Sequence, residues 1–150
     1  MNEQEFWSII HLLDWEEAGD DDAVLQPAAE ALSKRSIAEI QAFEDILSRK
    51  LHALDTRAHA QSIGTDAYIN DDEFFSADAF LYARCVVVAN GRGLYEMVLS
   101  DPAKFPQDLE FESLLSLAYA AFELKTGEEC RGFETSVSYE TFSNRTGWNQ

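Results

Sequence analysis

"SADAFLYARCVVVANGRGLYEMVL", residues 76–99, decides the fold. Read one way, Val86, Val87 and Val88 form a strand, Gly91 and Gly93 a turn, and the rest a helix, the layout of a phosphate-binding loop. Read the other way, two helices meet at a glycine corner. Ser76 and Asp78 are residues that start helices, and Ala77, Ala79, Leu81 and Ala83 favour helix. The run before Asn90 is also long for a strand. A single G-x-G without a strand before it is not a phosphate loop. The segment therefore reads as a helix stopped at Asn90-Gly91, followed by a short helix carrying Leu94, Tyr95, Met97, Val98 and Leu99.

Working towards the N-terminus, SIAE at 36–39 has the form of a capping box, Ser36 accepting from the backbone of Glu39 and Glu39 reaching back. Ile37, Ile40, Phe43, Leu47, Leu51 and Leu54 then recur every three or four residues, the strongest helical stripe in the chain. Further helix is expected over 56–69, with Gly64 as a break. Phe6, Ile9, Ile10 and Leu13 predict a first helix over 3–13. DWEEAGDDD, residues 14–22, reads as a solvated acidic loop. Val24, Leu25, Ala28, Ala29 and Leu32 mark a second helix, with Pro27 in its first turns, where a missing N–H costs little.

On the C-terminal side, Asp101-Pro102 ends a helix. Leu109 to Lys125 reads as the last long helix, capped by Gly127. The spacing thus predicts an all-α fold: one helical domain over 1–127, of about five or six packed helices, and a polar tail over 128–150. In the tail, 136–142 could be extended. Its aromatics Phe133, Tyr139, Phe142 and Trp148 either pin it to the helices, the preferred reading, or face a partner.

A chain of 150 residues is one domain's worth and needs neither metal nor disulfide to fold. No apolar run approaches the roughly 20 residues of a membrane helix. The acidic start MNEQEFWSII lacks the basic opening of a signal peptide. Cys85 reads as a reduced core residue, and a cytoplasmic location is expected. The charge excludes more: 28 acidic against 11 basic residues give a net charge of −17. Such a surface repels nucleic acid and draws in basic partners.

Candidate chemistry is sparse. His52 and His59 are seven residues apart, too far for a zinc pair, so His11, His52 and His59 read as structural or surface residues. The acid pairs of 16–17, 20–22 and 71–72 could do general acid–base work, and Asp71, Asp72 and Glu73 could hold a cation, but without a calcium-loop spacing. In a chain this acidic such pairs arise by chance. No nucleophile elbow is present. No metal or cofactor site and no catalytic set are expected. Arg84 interrupts an apolar run; a buried arginine needs partners, and a carboxylate from another segment is the expected one.

Residues 76–92 resemble the signature of the bacterial domain-of-unknown-function family numbered 4240. Ser76, Asp78, Phe80, Arg84, Gly91 and Arg92 carry the resemblance, supported by Phe6-Trp7, by AYIN at 67–70 and by SDP at 100–102. It spans roughly residues 3–127 and departs at Ala77, Ala79 and Val86, where the pattern has Asp, Gly and Trp. The resemblance implies no known activity. Small acidic bacterial proteins of this kind resemble immunity proteins encoded beside secreted toxins.

The expected function is accordingly non-enzymatic. An immunity-type inhibitor would hold a basic toxin domain through an acidic surface. Glu16, Glu17, Asp20, Asp21 and Asp22, with Asp71, Asp72 and Glu73, would steer the encounter. Trp15 would anchor it, with Phe74 and Phe75 as further candidates, each individually expected in the core. The alternatives are an adaptor or oligomerising domain, or a small-ligand binder with a pocket around Arg84.

Overall fold

Valines 86–88 are helical. The computed structural model describes all 150 residues and contains no β-strand. Six α-helices have eight residues or more: α1 (Glu3–Ile10), α2 (Asp21–Ser33), α3 (Ile37–Ala53), α5 (Ala77–Ala89), α6 (Arg92–Ser100) and α7 (Leu117–Thr126). Two single turns, α4 (Arg57–Ala60) and α8 (Arg145–Trp148), bring the total to eight, above the five or six expected.

α5 is the central helix. Its residues from Phe80 to Ala89 are buried except Tyr82, which is half-buried. A helix apolar on nearly every side has to be interior. Each valine costs about 0.5 kcal/mol of helix propensity, and its burial returns about 1.5–3 kcal/mol. Packing therefore overrides the strand preference. Ser76 caps the helix by accepting from the N–H of Ala79 at 3.1 Å, and Asp78 sits in the first turn.

The corner after α5 needs its glycine. Gly91 has φ +101°, and a Cβ there would lie 3.3 Å from the ring of His11. Asn90 and Gly91 thus form a helix–helix corner, not a phosphate-binding loop. Gly64 is the second such position: with φ +106°, its added Cβ would fall 2.5 Å from Oδ1 of Asp108, which accepts from the Thr65 N–H at 2.7 Å.

Several expected boundaries shift. α1 stops at Ile10, and the acidic loop contains a 3₁₀ turn at Trp15–Glu17. α2 already begins at Asp21, because Asp20 caps it through the Ala23 N–H at 3.2 Å; Pro27 therefore lies in the second turn. Ser36 caps α3 as expected, but Glu39 turns to Arg35 at 2.8 Å, so the box is half made. The complete capping box is at Asn2 and Glu5.

The helix expected over 56–69 shrinks to α4, since the chain after Gln61 is drawn across to Asp108. The helix expected from Leu109 begins only at Leu117. The segment before it is a 3₁₀ stretch, Glu112–Ser116, after Phe111 donates its N–H to the carbonyl of Tyr82 at 3.1 Å. Gly127 caps α7 in the left-handed region at φ +72°. Residues 136–142 form no strand.

α2 and α7 make the most extensive helix pair, and α5 packs between α3, α6 and the Glu112–Ser116 turn. One continuous core holds 36 buried hydrophobic residues, Trp148 of the tail among them. No helix is long and apolar enough to cross a membrane.

Candidate functional site

Two features organise the tail: a buried clasp that ties it down, and a cleft that it roofs. The clasp centres on Arg84 and Asp55, both fully buried. Nη1 of Arg84 donates to the carbonyls of Leu51 and Tyr139, each at 2.9 Å, and Nη2 donates to the Thr141 hydroxyl at 2.9 Å. The Phe80 ring lies 4.6 Å from the guanidinium carbon. The expected direct ion pair is absent: Arg84 holds carbonyls and a hydroxyl instead, with Asp55 as a nearby counter-charge. Burial pulls its pKa down to about 10, so it remains charged at neutral pH. Burial also pushes the neighbouring Cys85 thiol up to about 12, which leaves it inert.

Asp55 acts as the acceptor half of the clasp. Oδ1 accepts from the indole N–H of Trp148 at 2.7 Å and from the Phe142 N–H at 3.1 Å; Oδ2 accepts from the Asn144 N–H at 3.0 Å. Arg57 donates to the Trp148 carbonyl through Nη2 at 3.0 Å. His52 Nδ1–H donates to the Ser138 carbonyl at 2.9 Å, and Asp45 accepts from the Ser136 N–H at 2.6 Å. Gln41 donates to the carbonyl of Glu134. The tail aromatics also pack: Phe133 sits edge-on to Tyr119, and Trp148 against Tyr68 and Phe142.

The cleft lies beneath the stretch 133–140 and measures about 380 Å³. Its two buried lining residues, Glu44 and Ser48, are one turn apart on α3 and make its floor; Tyr119 and Tyr139 stand in its walls. Glu44 is 2% exposed, makes no hydrogen bond, and its Oε2 is buried without a partner. Burial raises its pKa to about 7. Glu44 and Asp55 were not singled out by sequence reasoning. Glu44 left a trace, because it stands between Ile40 and Leu47 on the buried stripe of α3.

The acidic loops are placed separately. Trp15 is 41% exposed and packs against Phe111, the tilted rings 5.1 Å apart. Asp20 and Asp21 are both engaged within the chain, Asp20 locally as a helix cap and Asp21 across the fold, accepting from the Ser113 hydroxyl at 3.0 Å. Glu16, Glu17 and Asp22 are exposed, and their carboxylates have no partner within the chain. In the second loop Asp71 accepts from the Tyr68 hydroxyl, and Asp72 and Glu73 are exposed around an Asn70 turn. Phe75 packs against Tyr68 and Phe80 as expected, whereas Phe74 is 92% exposed, contrary to its expected place in the core. No hydrogen bond or ion pair joins the two loops.

The clefts that border these loops and the tail do not include Arg84 in their linings. Of the remaining motif residues, Arg92 is exposed and paired with Glu96 at 2.8 Å. His59 is buried: its Nε2–H donates to the Val98 carbonyl at 2.8 Å, and Nδ1 accepts from Thr56. Its pKa is lowered by that burial. No three His, Cys, Asp or Glu side chains gather to hold a metal ion.

These features define an all-helical, strongly anionic domain with an aromatic tail clasped to its central helices. Residues 1–124 match the family described as Protein of unknown function (DUF4240), and the chain belongs to that family. The match ends within α7, so Tyr139 and Thr141, the tail partners of Arg84, lie beyond it. No curated protein and no solved structure matches the chain.

Proposed function

We propose that the protein is a binding module of the immunity type, which captures a basic protein domain on its acidic surface and performs no reaction of its own. The observation that carries this reading is the imbalance of charge partners. Only five of the 28 acidic residues enter ion pairs, and all five pairs involve exposed or half-exposed side chains. The remaining field is free to act on an approaching cation. Phe74, nearly fully exposed beside Asp71, Asp72 and Glu73, supplies an apolar anchor set within charge, the arrangement of a binding hot spot.

A ligand pocket around Arg84 is less well supported: its Nε is buried without a partner, but Nη1 and Nη2 make three hydrogen bonds to chain atoms, and Arg84 lines none of the clefts described above. In the favoured reading the protein works in the cytoplasm, with Cys85 and Cys130 as free thiols. The test is co-purification from native cells, identification of the captured partner, and kinetics with the recombinant pair. Glu16→Gln, Glu17→Gln, Asp22→Asn, Asp72→Asn and Glu73→Gln together should slow association with unchanged melting temperature. These positions avoid the helix cap at Asp20. Unchanged association by this variant, or a captured partner that is itself acidic, would refute the reading.

A further inference from the structure

We propose that the cleft floored by Glu44 is a binding site for an organic cation, a guanidinium or primary ammonium group. The floor carries one ionisable group, Glu44, whose Oε2 is buried and unpartnered. The chain keeps such an atom at a cost, and stability alone gives no reason for it. Glu140 adds a second carboxylate at the rim, and no Lys or Arg lines the cleft. An anion would be repelled. A metal ion would find no third ligand. A cation would turn the stranded carboxylate into an ion pair with charge-assisted hydrogen bonds. Tyr119, Phe133 and Tyr139 supply aromatic rings at the walls, the surroundings in which organic cations gain further attraction. The volume of about 380 Å³ is in the range of small-ligand sites.

The site is built. Gln41 and His52 donate to carbonyls of the tail stretch that roofs it, Asp45 accepts from the Ser136 N–H, and Arg84 donates to the Tyr139 carbonyl. The titratable groups facing Glu44 are Cys85 on α5, Tyr119 on α7, and Tyr139 and Glu140 on the tail. Burial raises the pKa of Cys85, Tyr119 and Tyr139, so those three stay neutral at pH 6–8. Glu44 is then the floor group that changes charge in this window, and the cation would bind its ionised form.

The probe is agmatine, which carries both head groups, titrated into the full chain and followed by backbone amide NMR. Shifts should cluster at Glu44, Ser48, Tyr119 and the tail stretch 133–140. Affinity should rise about tenfold from pH 6 to pH 8, following the ionised fraction of a group with its midpoint near 7. Glu44→Gln should weaken binding at least about tenfold at pH 8 while leaving the remaining spectrum in place. Butylurea, neutral and of similar shape, should leave the spectrum unmoved. An N-acetylated, C-amidated arginine peptide distinguishes the sources: binding of agmatine alone points to a small molecule, and binding of both points to a side chain of a basic protein. The inference is overturned if millimolar agmatine leaves these amides unmoved, or if Glu44→Gln binds it equally well. It stands or falls apart from the acidic-surface reading, because the loop variant above leaves Glu44 untouched and Glu44→Gln leaves the loops untouched.

Discussion

Replacing Asp55 by Asn tests the tail clasp with almost no change of shape. The carboxylate is fully buried and accepts three hydrogen bonds, two at Oδ1 and one at Oδ2. The best orientation of an amide keeps its oxygen at Oδ1 and turns its NH₂ towards the Asn144 N–H, so two donors oppose each other. Losing one charge-assisted bond costs about 1.5–3 kcal/mol, and the two retained bonds weaken from charged to neutral strength, about 1 kcal/mol each. Arg84 also loses its nearby counter-charge. These effects overlap and are not additive; together they amount to about 3 kcal/mol. For a domain of this size that lowers the melting temperature by about 6–12 °C. Urea unfolding followed by tryptophan fluorescence measures the loss, and hydrogen exchange should show amides 139–149 opening before the helices. Asp72→Asn, at an exposed site, is the control and should change stability by less than about 0.5 kcal/mol. An Asp55→Asn chain within about 0.5 kcal/mol of the parent, with tail exchange unaltered, would show that the tail is held by other means.

Glu44→Gln should have an effect of opposite sign above neutrality. The folded pKa of about 7 exceeds the ordinary value of 4.5, so the folded state binds the proton more tightly and Glu44 weakens the fold as pH rises from about 4.5 to about 7. At pH 8 the variant should be the more stable one, by up to about 3 kcal/mol, and near pH 4 the difference should vanish; paired thermal melts across that range check both ends. Gly91→Ala should cost about 1–3 kcal/mol, since it forces a side chain to φ +101° beside His11, measurable by chemical denaturation. Phe74→Ser should leave the melting temperature unchanged, because the ring is 92% exposed, while raising the dissociation constant for the captured partner about tenfold or more, read by calorimetry.

The helices were legible where one residue type marks each decision. Ser36 and the stripe from Ile40 to Leu51 place α3; Ser76, Asn90 and Gly91 bracket α5; Gly127 ends α7. The valines could be assigned to a helix because the run was too long for a strand, although their own propensity argues the other way. The clasp was not legible, for a physical reason. Arg84 bonds mainly to the carbonyls of Leu51 and Tyr139, and every residue has a carbonyl, so no side-chain pattern announces the partner. Asp55 likewise receives backbone N–H groups from the tail, and in sequence it looks like one more acid after a helix. The loop over 61–76 depends on Asp108 reaching Thr65 across the fold, which local periodicity cannot show. Glu44 is the intermediate case. Its place on an apolar stripe was visible, but only the packing around it reveals a carboxyl without a partner.

The central claim is that the unpaired carboxylates serve to capture something cationic. Its most direct test is the association rate with the captured partner, measured by stopped flow as salt is raised from about 0.1 M to about 1 M, which shortens the Debye length from about 10 Å to about 3 Å. A fall of at least about tenfold in on-rate, with a much smaller change in off-rate, is the result expected of electrostatic steering. An on-rate that stays flat across that range would contradict it.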